Sequence, residues 1–212
     1  DANNRLLARQ NRLRLDAEVV RDVGLAASGL LTPRLGGPPV FPPQPDGVMS
    51  LGQLRREWKE STGEDRHRRG LYTFFFRATP HPALAVFDSP DSFSVCTRRI
   101  RSNTPLQALT LLNDAAFYEF ARALAERTLR QSGQTVADRL NYAFQLCVAR
   151  APTAKEAQHL HGVLEMELEE LRRQPGAARS TKTPGDLDPV QFAAWTTLSR
   201  VMLNLDATIT RE

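Results

Sequence analysis

The chain is poor in cysteine: only Cys96 and Cys147 in 212 residues, far apart and outside any CxxC or CxxCH spacing. Metal–thiolate sites and covalent haem attachment are excluded within this segment, whereas a disulfide between the two cysteines stays open. Lysine is almost as scarce. Lys59, Lys155 and Lys182 are the only three, and the other 25 of the 28 basic residues are arginine. No stretch of 18 apolar residues is present, so no membrane-spanning helix is expected. The opening "DANNRLLARQNRLR" is basic but lacks the apolar core of a signal peptide, and it begins with Asp rather than Met. It reads as the start of a processed or excised piece, with any targeting signal upstream. The nucleophile elbow, phosphate-binding loop, zinc-protease helix and dinucleotide fingerprint are all missing. Four histidines remain. His159 and His161, two apart on a predicted helix, point to different sides, and His67 and His81 stand alone, so no metal site is expected.

What the chain has in quantity is apolar residues, at 41%, enough to bury the core of one domain or of one domain with an appendage. The arginines suit bidentate pairing with carboxylate, sulfate or phosphate. They alternate with 24 acidic residues. That mixture lacks the one-sided basic stripe of a nucleic-acid binder, and no nucleic-acid partner is expected.

The periodicity predicts a mainly α fold: an irregular helical bundle with a Pro/Gly-rich crossing loop, formed by residues 1–212 as a single domain. A helix is expected over 3–31, with Leu6, Leu7, Leu13, Val20 and Leu25 inward and Gly29 near its end. Residues 32–50, "TPRLGGPPVFPPQPDGVMS", hold six prolines and three glycines and predict an extended crossing, either a plain surface loop or a lid or partner-binding strap. A short helix is expected around 53–60, a buried helix over 65–77 and a turn near 81–87, with Phe74, Phe75 and Phe76 in the core. Further on, Thr104 at N-cap, Pro105 at N1 and Gln107 at N3 predict a capping box. One long helix should follow through Leu109, Leu112, Ala116, Phe120, Leu124 and Thr128, with Asn113 and Asp114 inside it. Helices over 136–149, from Thr153, and from Asp188–Pro189 complete the bundle, and 174–188 is a linker or surface loop.

The densest chemistry lies at Arg98, Arg99, Arg101, Ser102 and Thr104. Arginines beside a helix start, where backbone N–H groups are unpaired, are the ingredients of an anion site. Arg69, Arg77, Asp88 and Asp91 are supporting candidates, with Arg66 and Arg68 nearby. The alternative is fastening: the arginines pair with Asp88, Asp91 and Glu119 and tie the loop to the bundle. Asp88 and Asp91 could serve as paired carboxylates, but Asp before Ser-Pro is more commonly a turn former. No catalytic residue is assigned.

The block "RRGLYTFFFRATPHPALAVFDSPDSFSVCTRRIRSNTPLQALTLLNDAAFYEFARALAER", with "LGGPPVFPP" before it and "LSRVMLNLDATITRE" at the end, resembles the planctomycete-specific (PSD-type) domain family of unknown function, DUF1553. The resemblance spans nearly the whole chain. It implies a C-terminal domain of a large exported protein, in an extracytoplasmic setting, often with a cytochrome domain upstream. No cofactor is expected in this segment, and any haem c would belong to that upstream region. The leading expectation is a non-catalytic interaction or anionic-ligand-binding module whose partners are neighbouring domains of the same polypeptide or an acidic glycan. The rival is a segment that completes the active site of an exported polysaccharide-processing or haem-linked redox enzyme.

Overall fold

A computed structural model describes residues 1, 3–10, 12–52, 56–174, 176 and 182–211. Among the described residues, eight α-helices and one two-stranded sheet make a mainly α protein. In chain order they are β1 (Leu13–Arg14), α1 (Ala17–Ser28), α2 (Pro82–Val86), α3 (Pro105–Asn113), α4 (Ala115–Gln131), α5 (Val136–Val148), α6 (Ala154–Arg173), α7 (Pro189–Leu203), α8 (Asp206–Ile209) and β2 (Thr210–Arg211). β1 and β2 are antiparallel, with Leu13 opposite Arg211 and Arg14 opposite Thr210.

α7 is the axis of the bundle and lies against α4 and α6. Phe192, Ala194, Trp195, Leu198 and Met202 are buried almost completely along it. A helix apolar on most of its circumference has to be enclosed by others. α1 closes the remaining side. Gly24 meets the Phe120 ring, which leaves no room for a Cβ there, and Gly29 ends α1 at φ 78°. Two caps follow the sequence directly. Thr153 and Glu156 form a reciprocal capping box on α6, and Asp188 accepts from the Gln191 N–H ahead of Pro189 on α7.

Several expected elements differ. The first helix starts at Ala17, not at residue 3. Leu6 and Leu7 are each 84% exposed, Asn4 and Leu7 have positive φ, and the Asp1 carboxylate takes the N–H groups of Arg5 and Leu6. With no surface for the leucines to cover, a helix there gains nothing from packing. The long helix from 105 is two, because Asp114 ends α3 and its side chain caps α4 by accepting from Ala116 N–H at 2.9 Å. The break resets the helical phase, so Leu111 is buried while Leu109 is 54% exposed. Thr104 makes no capping bond, and Gln107 turns inward instead.

No helix spans 65–77. Two 3-10 turns, Gly63–His67 and Gly70–Tyr72, lead into extended chain bridged to the 32–50 segment at Thr32–Arg68 and Val40–Thr73. Gly70 passes so close to the α1 backbone that an added Cβ would sit 2.7 Å from the Glu18 carbonyl oxygen. Of the helix expected at 53–60, Gln53–Arg55 lie outside the described residues and 56–60 is irregular. In 174–188, Pro175 and 177–181 also lie outside them, and 182–188 carries no helix. Residues 32–50 cross the molecule as an extended strap that ends in a 3-10 turn at Val48–Leu51.

Candidate functional site

The arginine-rich loop nominated by sequence is tied to the start of α1. Arg99 donates to Glu18 through both terminal nitrogens, at 2.6 and 3.1 Å, and Arg101 reaches Asp16 at 3.3 Å. Burial alone would push the Glu18 carboxyl up, but hydrogen bonds from Arg99 and the backbone, with the Arg99 charge, hold it below its ordinary value. An acid in the first turn of α1 also suits the helix dipole. Ser102 donates from its N–H (2.7 Å) and its hydroxyl (2.8 Å) to Asp88, and Gln107 donates to Ser102 Oγ and to the Val86 carbonyl, each at 3.1 Å. Asp91 accepts from Phe93 N–H at 3.0 Å, as a turn-forming Asp does. Thr104 is exposed.

Among the described residues neither Asp88 nor Asp91 receives an arginine; the acids that do here are Asp16 at the start of α1, Glu18 and Asp22 within it, Glu60, and Glu119 of α4. Arg69 binds Asp22 at 2.7 Å, and Arg66 and His67 converge on Glu119 at 2.9 and 2.8 Å. Arg98 differs from its neighbours. It is exposed, has no carboxylate within 4 Å among the described residues, and lines a hollow of about 440 Å³ with Asp88, Asp91 and Cys96. Cys96 is exposed and Cys147 buried, both as free thiols, and burial pushes the Cys147 thiol up to about 12.

Arg77 leads to a different place. It lines a cleft of about 700 Å³ with Leu51, Arg56, Phe74, Phe75, Phe76 and Phe93. The three consecutive phenylalanines are only half-buried: they form the cleft wall rather than the core expected of them. Arg56 lies over the Phe76 ring at 5.0 Å and Arg77 over Phe93 at 5.9 Å. Neither has a carboxylate within 4 Å among the described residues. A guanidinium over an aromatic ring spends no N–H group on an acceptor there, so its donors remain to bind an anion.

The cleft wall rests on an aromatic stack. Phe41 of the strap stacks on Phe74 at 5.0 Å, Phe74 meets Phe76 at 4.7 Å, and Trp58 contacts Phe41, Phe76 and His81. Trp58 Nε1–H donates to the Pro42 carbonyl at 2.6 Å, and His81 Nε2 bonds the Pro43 carbonyl at 2.9 Å. Sequence reasoning missed Arg56, Trp58 and Phe93 at this site. The available signal was the run of three Phe without strand alternation, closed by Arg77, with a second Arg–aromatic pair at Arg56–Trp58. Among the described residues, no group of three His, Cys, Asp or Glu side chains is placed to hold a metal ion.

A family model described as "Protein of unknown function (DUF1553)" matches residues 1–164, ending short of α7 and of the closing segment. No curated protein and no solved structure matches the chain. With that match covering the strap, the cleft and most of the bundle, the chain belongs to the DUF1553 family of proteins of unknown function.

Proposed function

We propose that this domain is a non-catalytic binding module of an extracytoplasmic multidomain protein, and that the Phe74–Phe76 cleft holds an acidic saccharide. One observation carries the reading. Arg56 and Arg77 stand at one aromatic cleft without acidic partners, whereas Arg66, Arg69, Arg99 and Arg101 are each paired with a carboxylate. The half-buried phenyl faces, with Phe93 at 69% exposure, match the C–H face of a pyranose ring. The guanidinium edges match a carboxylate or sulfate on that ring. A volume of about 700 Å³ falls in the range of small-ligand sites.

Isothermal titration of the intact chain with a sulfated, a uronate and a neutral hexasaccharide tests this and separates the two anionic sources. Binding of either acidic sugar, weakened by salt and by Arg56→Ala or Arg77→Ala at unchanged Tm, is the expected result. Equal binding of the neutral sugar, stronger binding of a single-stranded oligonucleotide, or no binding to any sugar would overturn it. In the last case a neighbouring domain of the same polypeptide becomes the occupant.

A further inference from the structure

Beside Thr73, next in the chain to the Phe74–Phe76 wall, lies a small, largely enclosed chamber walled by Arg21 of α1, Thr73, His81, Leu84 of α2, and Asp114 and Phe117 at the start of α4. It leaves about 10 Å³ of room for the centre of a water molecule, which is space for one. Three polar atoms of this wall have no hydrogen-bond partner among the described residues: Arg21 Nε, Thr73 Oγ1 and His81 Nδ1. Arg21 is 6% exposed and His81 4%, so bulk solvent does not serve them.

The chemistry of each atom is fixed by its other bonds. Arg21 Nε–H can only donate, and the same guanidinium already donates from Nη2 to the Arg66 carbonyl at 2.8 Å. The Pro43 carbonyl can only accept, so His81 Nε2 carries the hydrogen that joins them. In a neutral ring Nδ1 is then an acceptor. Burial, countered in part by the Pro43 bond and aided by the Arg21 charge, pushes His81 down to about 4, so the ring is neutral at pH 7. Thr73 Oγ1 can donate or accept. An ammonium ion could not accept from Arg21, an anion could not donate to His81, and nothing larger than water fits.

We infer that one water molecule is an integral part of this chamber, accepting from Arg21 Nε–H, donating to His81 Nδ1 and completing its bonding with Thr73 Oγ1. Three bonds are the ordinary complement of a buried water. That water joins α1, the extended chain at residue 73 and the start of α2. It also holds His81 in the tautomer that grips Pro43, with the ring at 5.7 Å from Trp58 beneath the cleft wall. His81 is thereby a positioning residue for the aromatic stack. The inference rests on the chamber alone and stands whether or not the cleft takes a saccharide.

The test is NMR on the intact, 15N-labelled chain. Long-range 1H–15N correlations should show the Nε2–H tautomer at His81, and long-lived water cross-peaks should reach the His81 ring and the Thr73 methyl. Thr73→Val preserves shape and removes one bond. It should reduce the water cross-peak at His81 while the tautomer and the fold persist. An Nδ1–H tautomer, an absence of water cross-peaks in the wild type, or an unchanged cross-peak in Thr73→Val would each overturn the assignment.

Discussion

In the bundle, the side chains with no measurable exposure include Leu124, Phe144, Trp195 and Met202. In the layer of residues 32–104, the large side chain that is buried most completely is an arginine, Arg68. It donates to the carbonyls of Pro38 (3.0 Å), Arg34 (3.3 Å) and Gly36, and lies 3.9 Å over the Tyr72 ring. The difference follows from the strap's prolines. Each removes a backbone N–H but keeps its carbonyl, so the strap has more acceptors than donors. Side chains supply the missing donors: Arg68 to Pro38, Trp58 to Pro42 and His81 to Pro43. Apolar burial holds the bundle, and directional bonds to carbonyls hold the layer. The layer also keeps apolar surface open. Six of the twelve exposed large hydrophobic side chains among the described residues lie in this layer, against four on the helices from α3 onward. That asymmetry places the candidate binding surface on the layer and the scaffold beneath it.

The sharpest way to break this comparison is to empty the bundle. Trp195→Ala should cost about 3–5 kcal/mol in urea unfolding and collapse the transition of both regions together. Arg68→Leu strands the carbonyls of Arg34, Gly36 and Pro38, at a cost of about 3 kcal/mol. Its signature is regional. Hydrogen exchange should quicken at strap amides such as Val40 while α4 and α7 stay protected, and uniform quickening would show that the two regions are not separately held.

Acid should act on the layer as well. The unfolded chain protonates His81 below about 6.5, and the folded chain only below about 4. Between those values the unfolded state binds more protons, so stability rises with pH and is lost as pH falls through the window, by about 3 kcal/mol. Glu18 and Glu119, held below their ordinary values, add to the loss only at lower pH. Urea midpoints measured from pH 7 to 4 should show this slope, and His81→Asn should flatten it.

Smaller still, a double-mutant cycle on Arg99 and Glu18 should give a coupling of about 1 kcal/mol or less, because Arg99 is 36% exposed. Removing Arg56 or Arg77 should change stability by less than about 0.5 kcal/mol, as befits exposed side chains without acidic partners.

The bundle was legible in the sequence wherever a local signal agreed with the packing: the Thr153–Glu156 box, the Asp188–Pro189 start and the Gly29 stop all stand where expected. The break at Asp114 was hidden because its apolar neighbours continue on both sides, and only the inward turn of Gln107 and the cap on Ala116 reveal it. The layer was least legible. Its order depends on contacts between residues 30 to 50 apart, such as Arg68 with Pro38 and His81 with Pro43, which no periodicity encodes. The arginine cluster at 98–101 stood out by composition. Its pairing with Asp16 and Glu18, more than 80 positions away, could not be read from local sequence.

The central claim is that the layer's aromatic–arginine cleft, and not the bundle or the 98–101 loop, receives a ligand. Chemical-shift mapping with a sulfated hexasaccharide tests it most directly. The account predicts shifts concentrated at Phe74–Phe76, Phe93 and the Nε–H groups of Arg56 and Arg77, abolished in the Arg56→Ala/Arg77→Ala double variant. Shifts centred on Arg98–Arg101 or spread along α4 and α7, or a double variant that binds like the wild type, would contradict it.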